Sequence, residues 1–226
     1  MGKISIIIRN KNEERWIGHA IQSCLDFFND PEIIIIDNES TDASMQIVNE
    51  FCFSDIKTYE MKGYTPGKAL NYGVSKASND IILVLSAHSQ IIQDIKECDI
   101  SKLLEEKCCV FGNQIPVYRG KKITKRYIWS HFVEEDVKNM WSESENRYFL
   151  HNAFSFFKRD FLIDNVFDET LPGKEDRYWV NKMIQKGYNT FYNHNMRCYH
   201  HWTPGGATWK GMGLSLIHIS EPTRPY

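Results

Sequence analysis

The 226-residue sequence has no apolar run approaching the roughly 20 residues that a membrane-spanning helix needs. It also lacks a Gly-x-Gly-x-x-Gly after its first apolar run and a Gly-x-x-x-x-Gly-Lys-Ser/Thr anywhere, which argues against a dinucleotide dehydrogenase and a P-loop nucleotidase. Neither sign of charge is in excess: 27 Lys and Arg stand against 29 Asp and Glu, so no global field draws the chain to nucleic acid or an anionic surface. The six cysteines form no Cys-x-x-Cys pair, and Cys108 and Cys109 are adjacent, so reduced thiols of a cytoplasmic protein are expected rather than a disulfide framework. The opening Met1-Gly-Lys-Ile-Ser-Ile-Ile-Ile has no basic flank and cleavage site of a secretory leader, and Ile6 stands where myristoylation needs Ser or Thr. Internal repeats and low-complexity segments are absent too.

What is present reads as one folded domain, with 42% hydrophobic and 25% charged residues. The run Ile81 to Leu85 has no polar alternation, which requires both faces to be covered, as in a central strand of a mainly parallel sheet. Lys3 to Arg9 and Glu32 to Asp37 read the same way, with a weaker strand over Ile56 to Tyr59. Between them lie three helices: one from Trp16 to Phe28, with apolar residues at spacings of three and four; one carrying Met45, Ile47, Val48 and Phe51, with Ser40 or Thr41 as its N-cap; and one from Gly67 to Ala77. That alternation predicts an α/β fold, a Rossmann-like doubly wound and mainly parallel sheet with right-handed crossovers.

Past Gln90 the rhythm changes, and the second half is expected to be mixed. A strand from Cys108 to Tyr118 is expected, with Pro116 confining it to an edge or to the strand's end. A helix over Tyr127 to Met140, a strand over Phe149 to Phe157, a short helix over Arg159 to Asn165 and a longer one over Lys174 to Lys186 follow. Asn189 to Tyr192 and Met196 to His201 read as short closing strands. No Pro/Gly/Ser linker separates the halves, so residues 1–213 are expected to form a single domain. Residues 214–226 resemble the in-frame translation of a sequencing-library adapter and read as a non-native tail, the natural chain continuing past Gly213.

Ligands of open α/β sheets bind outside the carboxyl ends of the strands, so four loop groups converge there: Asn10 to Glu14, Asp37 to Asp42, Gly67-Lys68 and Ser86 to Ser89. Asp37 can accept from a base imide or a ribose hydroxyl. Lys68 at a helix start suits a phosphate. In order along the chain, Ser5-Ile-Ile-Ile-Arg-Asn-Lys-Asn-Glu-Glu14, Ile36-Asp-Asn-Glu-Ser-Thr-Asp42 and Gly67-Lys-Ala-Leu-Asn-Tyr-Gly73 resemble glycosyltransferase family 2, the inverting nucleotide-sugar transferases of GT-A fold. Asn152-Ala-Phe-Ser-Phe-Phe157 and Leu171-Pro-Gly-Lys-Glu-Asp-Arg-Tyr-Trp179 extend the resemblance over roughly residues 3–205.

The resemblance implies a nucleotide-binding half over 1–90 and an acceptor and catalytic half over 91–213. Donor contacts are implied for Arg9, Asn10, Glu14, Asp37, Asn38, Ser40, Lys68, Asn71, Ser86, Ala87 and His88. Asp176 is implied as the general base, with Glu175 beside it raising its pKa by like-charge repulsion, although adjacent helix residues do not face each other. Family members usually carry Asp-x-Asp after the central strand to hold Mg²⁺ or Mn²⁺; here Ser86-Ala87-His88 stands in those slots, as in a rhamnosyltransferase-like subgroup. Neutral imidazole is a poor Mg²⁺ ligand and an acceptable one for Mn²⁺, whereas a protonated His88 neutralises a diphosphate without metal. His200 after the last strand is the second candidate metal ligand, because adjacent strand residues His200 and His201 point to opposite faces.

For each of these the plainer alternative is structural: a satisfied core histidine, a turn aspartate, a solvated lysine. The expected partners are a UDP- or dTDP-sugar and a glycan or lipid-linked acceptor, in surface polysaccharide synthesis. The basic run Lys121, Lys122, Lys125 and Arg126 offers a peripheral contact at the inner face of a membrane. Trp129, Trp141 and Trp179 are candidates for core packing or sugar stacking, and Pro204-Gly-Gly206 for a lid over the donor. A non-catalytic nucleotide-sugar or glycan-binding relative of the same fold is the alternative function.

Overall fold

The computed structural model describes residues 4–52, 54–93 and 97–210; the predicted tail after Gly213 lies outside them. The chain runs β1 (Ile4–Asn10), α1 (Ile17–Phe27), β2 (Glu32–Asp37), α2 (Ser44–Asn49), β3 (Ile56–Glu60), α3 (Pro66–Lys76), β4 (Ile81–Ser86) and β5 (Ser89–Ile91). It continues through α4 (Glu97–Glu106), β6 (Cys109–Tyr118), β7 (Lys121–Lys122), a 3-10 turn at Tyr127–His131, β8 (Val137–Lys138), β9 (Trp141–Ser142) and β10 (Arg147–Tyr148). β11 (Phe154–Lys158), α5 (Arg159–Asp164), α6 (Glu175–Gln185), β12 (Thr190–His201) and α7 (Ala207–Lys210) complete it.

The main sheet has the order β3-β2-β1-β4-β11-β6-β12-β5. β3, β2, β1 and β4 are parallel; β11 runs antiparallel to β4 and β6, and β12 is parallel to β6. Unbroken isoleucine runs are explained by two buried clusters on opposite faces. Ile4, Ile6 and Ile8 of β1, with Ile33, Ile35, Leu83 and Leu85, pack beneath α1, while Ile7, Ile34, Ile36, Ile82 and Val84 pack on the α3 side with Leu70 and Val74. A strand sandwiched in this way has no face to give to polar residues. Gly67 at the start of α3 is required by close approach, since a Cβ there would lie 2.3 Å from the Asp168 carbonyl.

Four expectations are corrected. The helix expected over Tyr127–Met140 is only a 3-10 turn, because Lys125 Nζ donates to the Phe132 carbonyl and Tyr192 Oη to that of Val133, taking acceptors that a helix would use. Ser40 and Thr41 do not cap α2; it begins at Ser44, whose amide donates to Asp42 Oδ1. The strand expected from Phe149 starts at Phe154, leaving 149–153 as a loop. The two closing strands are one, β12, with a register shift between Asn193 and Arg197. Pro116 takes the second of the two places expected for it, the strand's end: β6 is interior, but the Pro116 carbonyl accepts from Ile123 and its missing N–H points to the β7 side, past the end of β11.

Candidate active site

β4 stops at Ser86 and the chain turns through Ala87 and His88 before β5 pairs with β12. The His88 carbonyl accepts from the His201 amide at 2.9 Å, which fixes the turn against the end of β12. His200 and His201 then diverge, as the two-residue repeat of a strand requires. His201 stacks on Trp16 with centroids 4.0 Å apart, and burial pushes its pKa down to about 4. His200 turns inward beside His88, with Nε2 atoms 2.8 Å apart and rings 4.7 Å apart.

Around this pair stand further residues; the sequence alone does not single out Gln114, His151 or Trp209, and it includes Glu13 only as part of its loop. Glu13 Oε1 lies 3.0 Å from His88 Nδ1, and Gln114 Oε1 lies 3.1 Å from His200 Nδ1. The His151 ring centroid is 5.6 Å from that of His200; its Nε2 contacts Thr208 Oγ1 at 3.1 Å, and its Nδ1 is buried without a partner. Trp129 and Trp209 close over His200 at 5.6 and 6.0 Å. Burial among these rings drives the pKa values of His151 and His200 well below the ordinary imidazole range.

The base candidates lie at the amino end of α6. Asp176 Oδ2 accepts from the Asn152 amide at 3.1 Å and from Arg177 Nη1 at 2.6 Å, and Oδ1 accepts from the Arg177 amide at 2.8 Å. A carboxylate offers about four acceptor positions, so Oδ1 keeps one free. Glu175 Oε1 accepts from Arg9 Nη1 at 2.7 Å, tying α6 to the end of β1. Burial, then the adjacent Asp176 charge, hold Glu175 above the usual carboxylate range against the pull of Arg9.

At the neighbouring loops, Asn10 Nδ2 donates to Asp37 Oδ1 at 2.8 Å and to Ser40 Oγ at 3.1 Å; Asp37 also accepts from the amide and hydroxyl of Ser40. The Asn38 amide donates to the Asn10 carbonyl, and its own carbonyl accepts from Lys11 Nζ. Lys68 is exposed at the start of α3, with Nζ 3.5 Å from the Gly63 carbonyl. Ser86 Oγ lies 3.3 Å from His88 Nε2.

Three expected contacts are not brought into this group. Glu14 is exposed and accepts from the Ala43 amide, bracing one loop against another. Asn71 spends its amide on the backbone of Phe167 and on Glu169. Ala87 buries its methyl in the cluster with Ile8, Ile17 and Leu85. Of the tryptophans, Trp129 and Trp179 are core residues and Trp141 is exposed. In the basic run, Lys121 and Lys122 are exposed, while Lys125 pairs with Glu134 at 3.1 Å.

The donor set decides what cation suits the site. Two imidazole nitrogens and a hydroxyl favour a first-row ion such as Mn²⁺ over Mg²⁺, which demands oxygen. Among the described residues no group of three His, Cys, Asp or Glu is arranged to hold a metal by itself, so His88 and His200 fit a cation only as part of its coordination.

The family model for glycosyl transferase family 2 matches residues 5–166. The chain belongs to this family. It is 27% identical over 193 residues to the GalNAc(5)-diNAcBac-PP-undecaprenol beta-1,3-glucosyltransferase of Campylobacter jejuni, covering 83% of this chain and 62% of that one. Among solved structures, TarS 1–349 of S. aureus in complex with UDP-GlcNAc aligns with a TM-score of 0.68 at 21% identity, covering 90% of this chain and 60% of that fragment. The mannosyltransferase PcManGT of Pyrobaculum calidifontis, in complex with GDP-Man and Mn²⁺, aligns with a TM-score of 0.67 at 16% identity, covering 97% and 65%. The family 2 chain thus shares the GT-A fold and spans about three-fifths of the length of these relatives. Among the described residues no helix is long and apolar enough to cross a membrane.

Proposed function

We propose that this chain is the catalytic domain of an inverting glycosyltransferase, moving a sugar from a nucleoside diphosphate sugar to a hydroxyl of a glycan or lipid-linked acceptor. One observation carries the reading. The Asn152 amide holds Asp176, and the neighbouring His151 packs against His200, so a carboxylate and the imidazole pair are linked through one short loop at the carboxyl edge of the sheet. The lipid-linked substrate of the Campylobacter relative and the UDP-sugar bound by TarS are the same classes of acceptor and donor.

In this reading Asp37 keeps one acceptor position on Oδ2 for the imide of a uracil or thymine base, its others being taken by Asn10 and Ser40. Lys68 and the amino end of α3 lie toward the phosphates. Asp176 takes the proton of the acceptor hydroxyl through its free Oδ1 position as that oxygen attacks the anomeric carbon; the glycosidic bond forms, and the bond to the diphosphate breaks on the opposite face. Arg177 and the Asn152 amide hold the carboxylate in its orientation. A cation held by His88 and His200 would supply charge neutralisation at the leaving diphosphate.

Asp176→Asn tests the assignment. Titration calorimetry with UDP and dTDP, with and without Mn²⁺, is expected to give unchanged nucleotide affinity while transfer falls about 10³-fold, in the range for a lost general base. Full transfer in that variant ends the assignment. The replacement of Asp-x-Asp by Ser86-Ala87-His88 favours a second reading, a non-catalytic nucleotide-sugar binder, which nucleotide binding without any donor turnover in the wild type would support.

A further inference from the structure

The hairpin of β9 and β10 forms a small sheet of its own, closed by a turn in which Asn146 takes a positive φ of 48° and its amide donates to the Glu143 carbonyl. Asparagine tolerates that left-handed conformation. Ser142 anchors the turn: it is 1% exposed, accepts from the Glu145 amide at 3.3 Å and lies 2.8 Å from His131 Nε2. The hairpin tip meets the first turn of α6. Glu145 stands there between two basic side chains, with Oε1 3.9 Å from Arg177 Nε and Oε2 3.7 Å from Lys174 Nζ. Arg177 is the residue that holds Asp176 Oδ2, so one side chain separates the tip from the base candidate.

Beside that contact Arg147 lies on Tyr178, its guanidinium carbon 4.7 Å from the ring centroid. Tyr178 is 49% exposed and stands on α6 just past Asp176. Arg147 Nε donates to the Glu145 carbonyl at 3.2 Å; among the described residues its Nη groups have no hydrogen-bond partner. A planar fork of unspent N–H donors next to an open aromatic ring suits a ligand with an apolar C–H face and a rim of hydroxyls, which is what a pyranose presents. A phosphate fits less well: the acids Glu143, Glu145 and Glu175 offset Arg147, Lys174 and Arg177 and leave no net positive field. Trp141 and Tyr148 pack edge-on with centroids 5.1 Å apart, and the hairpin register, Tyr148 opposite Trp141 and Arg147 opposite Ser142, turns them to its other face.

We infer that Arg147 and Tyr178 form an acceptor subsite, a platform on which a saccharide ring packs against Tyr178 while Arg147 donates to its hydroxyls. Residues two apart on a helix do not share a face, and Asp176 is buried toward Asn152 whereas Tyr178 is exposed. The platform therefore holds the sugar unit behind the reacting one, and the acceptor is an oligosaccharide rather than a single sugar. The inference rests on the transferase reading for the destination of the reacting hydroxyl, Asp176, and adds the chemical class of the acceptor.

The test reads binding, not transfer. Saturation-transfer NMR of the UDP-loaded protein, with cellobiose, lactose and N,N′-diacetylchitobiose as probes, is expected to show a bound saccharide. Its affinity is expected to fall about tenfold, the scale of losing a single contact, in Tyr178→Ala and in Arg147→Lys, which keeps the charge and loses the fork. Tyr178→Phe keeps the ring and the affinity, and Trp141→Ala, on the other face, leaves the affinity unchanged. Circular dichroism and an unchanged UDP affinity establish that each variant is folded. No binding of any probe by the wild type, an unchanged affinity in folded Tyr178→Ala or Arg147→Lys, an equal loss in Trp141→Ala, or displacement of the probe by glycerol 1-phosphate overturns the inference. Transfer is assayed separately: the expected affinities without transfer overturn the transferase reading and leave the saccharide platform standing.

Discussion

At the amino end of the sheet Glu32 accepts from Ser5 Oγ, Lys57 Nζ and the Ser78 amide, and Ser5 Oγ in turn accepts from Asn79, so the polar groups of this cluster complete one another. At the carboxyl end Asn10 Oδ1, His151 Nδ1 and Asn152 Nδ2 are buried without partners. A cavity of about 550 Å³, lined by Leu25, Phe28, Glu32, Asp55 and Ser78, lies beside the Glu32 cluster. A cavity alone would therefore point to the opposite end of the molecule from the histidine pair. Buried polar groups are rarely left unpaired, and those that are mark places where something else completes them. The Glu32 cluster spends its charges on one another, whereas Asn10, His151 and Asn152 keep unused hydrogen-bonding capacity at the carboxyl end.

The contrast is broken most severely at Arg177, which serves both purposes. Its guanidinium pairs with Asp176, both side chains 6% exposed, and packs over the Phe149 ring at 4.9 Å. Arg177→Ala leaves the Asp176 charge buried and uncompensated. Urea unfolding is expected to show a loss of about 3–5 kcal/mol, the scale for removing one partner of a buried pair. A loss below 1 kcal/mol, a threshold at roughly the level of an exposed pair, would mean that Asp176 is solvated and that the carboxyl end is not a buried polar site.

His88→Ala sharpens the comparison from the functional side. His88 stacks on His200 with ring centroids 4.7 Å apart and pairs with the buried Glu13 at 3.0 Å. In the folded His88→Ala variant transfer is expected to fall about 100-fold, equivalent to about 2.7 kcal/mol, while urea unfolding shows a loss of about 1–3 kcal/mol from the Glu13 carboxylate left without its partner. A variant that loses stability and keeps its rate would return His88 to the role of a structural histidine.

How much of this could be read from the sequence differs between the same two halves. The isoleucine runs of β1, β2 and β4 announced a covered sheet, and the loops after them were identifiable by position. The second half depended on distant partners: β12 reaches His88 across 112 residues, and Gln114 and His151 gain their importance only from that return. Glu13 and Glu14 look alike in the sequence. Which one turns inward is set by Ser44, thirty-one residues away, holding the Glu13 amide. Local propensity likewise favoured a helix after Tyr127, where Lys125 and Tyr192 capture the carbonyls instead. No periodicity encodes such captures.

The smallest expected effect lies at the amino end. Burial disfavours the Glu32 charge, but Lys57, Ser5 and Ser78 outweigh it and bring its pKa down to about 2. The unfolded value is about 4.3, so the contribution to stability is fully present above roughly pH 4.5 and is lost as the pH falls toward 2. Glu32→Gln removes the charge while keeping the shape, and should cost about 1–3 kcal/mol at pH 7, the scale of hydrogen bonds to a charged group. The gap between wild type and variant in urea unfolding should close as the pH is lowered through that window, and transfer at pH 7 should be unchanged. A gap that stays constant down to pH 3 would show that Glu32 is not the group responsible. A tenfold loss of transfer would show that the two ends of the sheet are coupled, against the separation argued from their hydrogen bonds.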